Sequence, residues 1–254
     1  MMNNKFHDVG MIKINNFVPQ KKIKNILDVL YENILKFKYI DKPKSFEDKR
    51  LHRSLIKFRK SEPKKFGAMY DSINLNASLR SVFYLPKFFY IFSKLLGTSK
   101  NLIFINGFML RLDVPFDKRN TLDWHQDSPY YKQTYPKYNS GVCWISLTKN
   151  NENNGSLNYI PGSHQKGFVK TSSEKKDEFT SEQFRLKVNT KNSKILKSNC
   201  GDASFFHMNV KHKSGVNKSN KVRITAACRF HDMSSNFNIG KELYYYNKSK
   251  KITL

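Results

Sequence analysis

The sequence predicts an α+β protein with a mainly β core: a double-stranded β-helix (a jelly-roll, cupin-like barrel) with N-terminal helices packed on one sheet. Three observations lead to this prediction. Apolar residues recur at helical spacing before about residue 100. From about residue 101 the apolar runs become short or alternating. Turn residues such as Asn153-Asn154-Gly155 and Pro161-Gly162 separate several of these runs, as in sandwiches and barrels.

The first 100 residues are predicted to be mostly helical. Val18-Pro19-Gln20 can open a helix because proline fits a first helical turn. A second helix is predicted from Pro86, with Gly97 as its stop. After Pro19 the apolar residues at helical spacing are Ile23, Ile26, Leu27, Leu30, Ile34 and Leu35.

The remainder of the chain is predicted to supply the strands of a single domain that spans residues 1–254. We expect the jelly-roll core within residues 101–235. Residues 171–193 are polar and lack apolar periodicity, so we interpret them as a long loop or lid. The predicted strands are 102–112, 141–147, 156–160, 203–206 and 222–230.

The composition indicates a folded, strongly basic protein. Its 254 residues are 39% hydrophobic and 14% aromatic, which is enough to fill a core. The formal net charge is +26, but lysines are spread from Lys5 to Lys251 and rarely form a dense block. This spread favours a solvated lysine-rich surface over a nucleic-acid site, and no nucleic-acid-binding motif is recognisable. Such a surface could still gather an anionic substrate by attraction that salt would screen.

Three cysteines, Cys143, Cys200 and Cys228, are an odd number without a CxxC motif. We therefore expect neither a disulfide scaffold nor a structural zinc site, and we expect a reducing, cytoplasmic location. The N-terminus resembles no signal peptide. No apolar run approaches the roughly 18 to 20 residues of a membrane span, so no membrane partner is expected.

The first candidate site residues are His125 and Asp127, which form a His-x-Asp motif. Residues two apart on an extended backbone point to the same side, so an imidazole and a carboxylate could reach one metal ion. A third ligand could come from the segment that begins at Gly201-Asp202, which contains both His207 and His212. Two imidazoles and one carboxylate form the facial triad of non-haem Fe(II) oxygenases. Arg223, on the next apolar run, could bind the carboxylate of a 2-oxo acid co-substrate.

Four segments in order resemble the phytanoyl-CoA dioxygenase family of Fe(II)/2-oxoglutarate oxygenases. The resemblance spans roughly residues 6 to 231. The segments are Phe6-His7-Asp8-Val9-Gly10 followed by Phe17; His125-Gln126-Asp127 with Tyr130; Asn153-Asn154-Gly155-Ser156-Leu157 with Ile160-Pro161-Gly162-Ser163-His164; and Gly201-Asp202 through His212, Ser214 and Arg223.

The resemblance implies a role for individual residues. His125, Asp127 and His212 would bind Fe(II), because the spacing from His212 to Arg223 fits the family better than that from His207. Arg223 would pair with the distal carboxylate of 2-oxoglutarate. Two further residues would belong to the co-substrate site. Ser214 would assist Arg223 in binding 2-oxoglutarate. Trp144 matches a family tryptophan near the co-substrate, although its spacing from the metal motif differs by one residue and it could equally be a core residue. His164 is interpreted as a loop histidine.

The implied reaction uses Fe(II), 2-oxoglutarate and O2 to hydroxylate an unactivated C–H bond of a small molecule, with release of succinate and CO2. Related halogenases lack the metal-binding carboxylate, so Asp127 favours hydroxylation over halogenation. Desaturation or cyclisation stays open, as does contact of Arg111, Tyr130 or Tyr131 with substrate. The alternatives are a metal-binding jelly roll without turnover, a basic nucleic-acid-binding protein, and a zinc or manganese cupin with other chemistry.

Overall fold

The computed structural model describes residues 2–117, 120–131, 137–171 and 184–235. Helices precede most of the strands along the described chain. The α-helices are α1 (Met2–Val9), α2 (Gln20–Leu35), α3 (Lys49–Ser61), α4 (Pro63–Ile73), α5 (Ala77–Arg80) and α6 (Pro86–Leu96). The strands are β1 (Met11–Ile14), β2 (Ile103–Asp113), β3 (Ser140–Ser146), β4 (Leu157–Tyr159), β5 (Lys194–Ile195), β6 (Ala203–His207), β7 (His212–Ser214) and β8 (Arg223–Asp232).

The helix boundaries follow local sequence signals. α2 begins directly after Pro19, and α6 begins at Pro86, as predicted. α6 ends at Gly97, whose φ of 65° is the left-handed conformation that glycine adopts without a Cβ penalty. The N-terminus of α3 is capped by Asp48, whose carboxylate accepts the backbone N–H of Arg50.

The strands form two antiparallel sheets. The larger has the order β1-β6-β3-β8-β2, and the smaller has the order β5-β4-β7. The β1 strand lies in the part of the chain that was predicted to be mostly helical, and it pairs with β6 at the sheet edge. A helical segment followed by antiparallel sheets is the predicted α+β fold class.

The two faces of the larger sheet contact different layers. On β8, Ile224, Ala226, Cys228 and Phe230 belong to the large apolar core that also contains the buried helix residues. The alternate residues of β8, which include Arg223 and Arg229, therefore point to the opposite face. A second apolar cluster joins that face to the smaller sheet, and its members are Met11, Val142, Trp144, Leu157, Tyr159, Leu196, Phe206, Met208 and Val210. The space between the sheets thus contains both apolar and charged side chains.

The predicted lid over residues 171–193 falls partly outside the described residues, because residues 172–183 are not among them. The described part that follows is attached to the segment around His125. The backbone N–H of Leu186 donates to the carbonyl of Trp124, and the N–H of Phe184 donates to the Tyr130 hydroxyl. None of the described helices is long and apolar enough to cross a membrane.

Candidate metal centre

Backbone pairing places His125 beside His212. The N–H of His125 donates to the carbonyl of His212 at 2.9 Å, and the N–H of His212 donates to the carbonyl of His125 at 3.0 Å. The pair forms an isolated antiparallel bridge at the first residue of β7. Residues directly opposite each other carry neighbouring side chains, and the two ring centroids are 4.2 Å apart. Two histidines that are remote in sequence are therefore fixed side by side.

Asp127 completes this group of side chains. Its backbone N–H donates to the carbonyl of Met208, which anchors it next to the strand that leads to His212. Oδ1 of Asp127 lies 3.4 Å from Nε2 of His125 and 3.6 Å from Nε2 of His212. One potential ligand atom from each residue lies within 4.8 Å of the others. Three donor atoms therefore converge on one point, as the sequence predicted for a metal site.

Hydrogen bonds fix which nitrogen of each imidazole faces that point. Nδ1 of His125 is 2.6 Å from the carbonyl of Asp123, and Nδ1 of His212 is 2.9 Å from the carbonyl of Val210. A carbonyl only accepts, so each Nδ1 carries the proton and donates it. In the neutral imidazole Nε2 then keeps its lone pair, which is the arrangement of a metal-ligating histidine.

The protonation states also suit a cation. Burial lowers the pKa of His212 to about 4, so its imidazole is neutral near pH 7. Burial raises the pKa of Asp127, but the adjacent Arg229 cation opposes this effect, and the pKa of Asp127 lies well below its usual range. A carboxylate and a neutral imidazole are the deprotonated forms that bind metals.

His207 and His164 lie apart from this group. Nδ1 of His207 accepts the backbone N–H of Asn209, and its ring packs against His164 at a centroid distance of 5.0 Å. Nε2 of His164 is 2.8 Å from the carbonyl of His7. Among the residues that the structure describes, the group of three side chains that could hold a metal ion contains His212 and neither of these histidines.

The three converging side chains line a cavity of about 230 Å³ between the sheets. Apolar and aromatic groups make up much of its wall, and charged groups lie at separate points. The other lining residues are Tyr70, Met109, Arg111, Asn120, Leu122, Tyr130, Tyr131, Val142, Trp144, Leu157, Ser214, Ala227 and Arg229. Trp144 and Ser214, two of the predicted co-substrate residues, are therefore in the same cavity as the predicted ligands.

Arg223, the third predicted co-substrate residue, is next to this cavity and is not itself part of its lining. Its guanidinium centre lies 5.8 Å from the centre of the Trp144 ring. Arg111 lies 5.7 Å from the same ring and donates to the hydroxyl of Ser214 at 3.3 Å. Two guanidinium groups thus flank Trp144 at one end of the cavity.

Asp113 connects these two arginines. Its Oδ2 is 2.8 Å from Nη2 of Arg223, and its Oδ1 is 3.1 Å from Nη2 of Arg111. One carboxylate therefore faces two buried cations, which leaves a local excess of positive charge. Among the described residues, Nη1 of Arg223 is buried without a hydrogen-bond partner. A second carboxylate would satisfy both the charge and this donor.

Comparison with known proteins identifies the family of the chain. The family model described as phytanoyl-CoA dioxygenase (PhyH) matches residues 6–225. The chain belongs to the phytanoyl-CoA dioxygenase family. Membership confirms the predicted class of enzyme, a non-haem iron- and 2-oxoglutarate-dependent oxygenase. The roles of the individual residues stay predictions. No curated protein sequence matches the chain.

Solved structures of similar fold include three proteins at low sequence identity. EvdO2 from Micromonospora carbonacea var. aurantiaca, complexed with 2-oxoglutarate, is 17% identical with a TM-score of 0.62, over 91% of this chain and 89% of EvdO2. The epimerase SnoN, in complex with Fe3+, alpha ketoglutarate and nogalamycin RO, is 13% identical with a TM-score of 0.61, over 90% and 81%. EctD from S. alaskensis, with 2-oxoglutarate and 5-hydroxyectoine, is 14% identical with a TM-score of 0.61, over 92% and 76%. These likenesses show that the jelly-roll prediction is correct.

Two residues beside the candidate site, Asp113 and Arg229, were not predicted from the sequence. Asp113 and Arg229 form the buried ion pairs with Arg223 and with Asp127, respectively. Neither belongs to a recognisable motif, and each is paired with a residue about 100 positions away. Strand alternation places Arg229 on the same face of β8 as Arg223, which was the one available signal.

Proposed function

We propose that this protein binds Fe(II) through His125, Asp127 and His212 and uses 2-oxoglutarate and O2 to hydroxylate a small molecule. The convergence of two imidazole Nε2 atoms and one carboxylate oxygen at a cavity wall supports this proposal most directly. Two histidines and one carboxylate match the donor set of non-haem iron oxygenases, which leaves coordination positions open.

The chain's own residues would hold and orient the reactants. The bound iron and co-substrate would supply the oxidation, in which 2-oxoglutarate and O2 become succinate and CO2 and one oxygen atom enters a C–H bond. The backbone carbonyls of Asp123 and Val210 keep Nε2 of both histidines available as ligand atoms. The apolar wall around them, which includes Val142 and Ala227, limits access of bulk water.

We propose that the distal carboxylate of 2-oxoglutarate binds at the end of the cavity near Arg223, with Ser214 and Trp144 as neighbours. The buried, unpartnered Nη1 of Arg223 supports this assignment, because an unsatisfied buried donor is costly. Asp113 balances one of the two arginines there, so a single incoming carboxylate would balance the other. Ser214 reaches the same place through its bond with Arg111.

The mostly apolar and aromatic cavity with a few convergent polar groups supports a small-molecule substrate, because such a lining is typical of small-molecule sites. The net charge of +26 favours substrates with an anionic group. Asp127 occupies the ligand position that halogenases lack, which favours hydroxylation. We also propose a cytoplasmic location, because the three cysteines are free thiols.

The test is iron-dependent formation of succinate from 2-oxoglutarate, with and without pools of small metabolites. We expect succinate from the wild-type protein and none above background from His125→Ala, Asp127→Ala or His212→Ala. His207→Ala is the matched control because His207 lies outside the group of three, and it should keep its activity. Full activity in His212→Ala would transfer the ligand role to His207. Iron binding without any succinate would instead indicate a binding protein without turnover.

A further inference from the structure

The two oxygens of Asp127 have different surroundings. Oδ1 faces Nε2 of His125 and His212, at 3.4 Å and 3.6 Å. Oδ2 accepts two hydrogen bonds from Arg229, from Nε at 3.2 Å and from Nη2 at 3.0 Å. Both donors of one guanidinium edge therefore converge on Oδ2, and Oδ1 is the oxygen that faces the two imidazoles.

Arg229 is itself held rigidly. Its Nη1 donates to the carbonyl of Gly107 at 3.0 Å, so all three of its nitrogens have a partner. Its guanidinium centre lies 4.6 Å from the centre of the Tyr131 ring, which covers one face of the cation. With 9% of the residue exposed, Arg229 has little freedom to move.

An irregularity in β2 creates the acceptor for Arg229. The register between β2 and β8 shifts between Asn106 and Met109, and Gly107 has a φ of 57° in this bulge. A Cβ at Gly107 would lie 2.7 Å from the Tyr131 hydroxyl oxygen and 3.0 Å from Cδ of Arg229. Bulges re-aim backbone and side-chain groups next to active sites, and this one turns the Gly107 carbonyl toward Arg229.

We propose that Arg229 is a positioning residue that restricts Asp127 to a single-oxygen metal ligand. This inference rests on the proposed function. A carboxylate that used both oxygens would occupy a coordination position that 2-oxoglutarate or O2 needs. The two hydrogen bonds from Arg229 to Oδ2 oppose this, because they hold Oδ2 at the guanidinium while Oδ1 points toward the two imidazoles. Gly107 and Tyr131 act through Arg229, because they hold its guanidinium in place.

Titration with Co(II) under anaerobic conditions tests this role without any substrate. The visible ligand-field absorption of Co(II) reports both the affinity and the coordination of the metal. We expect Arg229→Gln to weaken Co(II) binding by about 10- to 100-fold, as is usual when a partner of a ligand is lost. We also expect an altered Co(II) spectrum and a reduced spectral response to added 2-oxoglutarate. Arg229→Lys keeps the charge without the planar fork and should lie between wild type and Arg229→Gln.

Arg223→Gln is the matched control on the same face of β8. It should leave Co(II) affinity unchanged and lose the response to 2-oxoglutarate. If the wild type binds no Co(II), or if its Co(II) binding does not depend on His212, the proposed function itself fails. If wild type binds Co(II) and both Arg229 variants keep the wild-type spectrum and the wild-type response to 2-oxoglutarate, the inference alone is overturned. Should Arg229→Gln not fold, Arg229→Lys decides by the same two readouts.

Discussion

Replacing Asp113 by asparagine removes a carboxylate that two buried arginines share. The side chains of Arg111, Asp113 and Arg223 are only 12%, 9% and 1% exposed. Little water therefore reaches the cations to stabilise them once the carboxylate is gone. Breaking a buried pair on one side costs about 3 to 5 kcal/mol. For a chain of this size each kcal/mol corresponds to about 2 to 4 °C, so we expect the melting temperature to fall by about 6 to 20 °C.

The assay is thermal unfolding by circular dichroism, with two comparison variants. Glu47→Gln removes a partner of the exposed Lys221–Glu47 pair, whose side chains are 43% and 41% exposed, and should cost less than about 1 kcal/mol. The double variant Asp113→Asn/Arg223→Met removes one of the uncompensated cations and should recover part of the loss. If Asp113→Asn melted as high as Glu47→Gln, the reasoning about buried charge at this end of the cavity would be wrong.

Three further predictions concern acid stability, packing and co-substrate binding. Burial lowers the pKa of His231 to about 3, so between pH 6.5 and that value the unfolded chain binds a proton that the folded chain does not. The free energy of unfolding therefore falls as the pH is lowered through this window, by about 1.4 kcal/mol per pH unit from this group. Urea unfolding of His231→Gln should show a dependence on pH that is shallower by that amount. Gly155→Ala should destabilise the fold by more than Gly97→Ala. Both glycines have positive φ, but a Cβ at position 155 would lie 2.4 Å from the Gly215 carbonyl oxygen, whereas a Cβ at position 97 would enter open space. Equal melting temperatures of the two variants would contradict this prediction. Arg223→Lys should raise the 2-oxoglutarate concentration for half-maximal succinate formation by about 10- to 100-fold, the equivalent of a charged hydrogen bond, and an unchanged value would remove Arg223 from the co-substrate site.

Much of the candidate metal site could be predicted from the sequence because its signals are local. His125 and Asp127 are two residues apart, and strand geometry alone puts them on one side of the chain. The choice of His212 as third ligand needed further information, because the residues alone also allowed His207 in that role. The spacing to Arg223 in the resembling family favoured His212, and the backbone bridge between positions 125 and 212 agrees with that choice.

The ion pairs around the site could not be predicted, because they depend on register between distant strands. Arg229 faces Asp127 through the pairing of β2 with β8 and the bulge at Gly107. Asp113 meets Arg223 because these two residues are direct partners at the end of that same pairing. A sequence shows the alternation within each strand but not which residues of two strands lie opposite each other.

The fold shows the same difference between local signals, which a sequence reveals, and pairing between distant strands, which it does not. Long apolar elements such as α2 and α6 were predicted near their observed bounds, because many residues contribute to one periodic signal. The strands β5 and β7 have two and three residues, too few to show any period, and they form through pairing with β4. β1 has four residues and was missed for the same reason.

The most direct test of the central claim is a crystal structure with Mn(II) as a redox-stable substitute for Fe(II), located by its anomalous scattering. We expect one strong peak bound by Oδ1 of Asp127 and by Nε2 of both His125 and His212, at roughly 2.0 to 2.3 Å. Oδ2 of Asp127 should remain bound to Arg229. A peak at His207 and His164 instead, or no peak at saturating Mn(II), would contradict the assignment of this site.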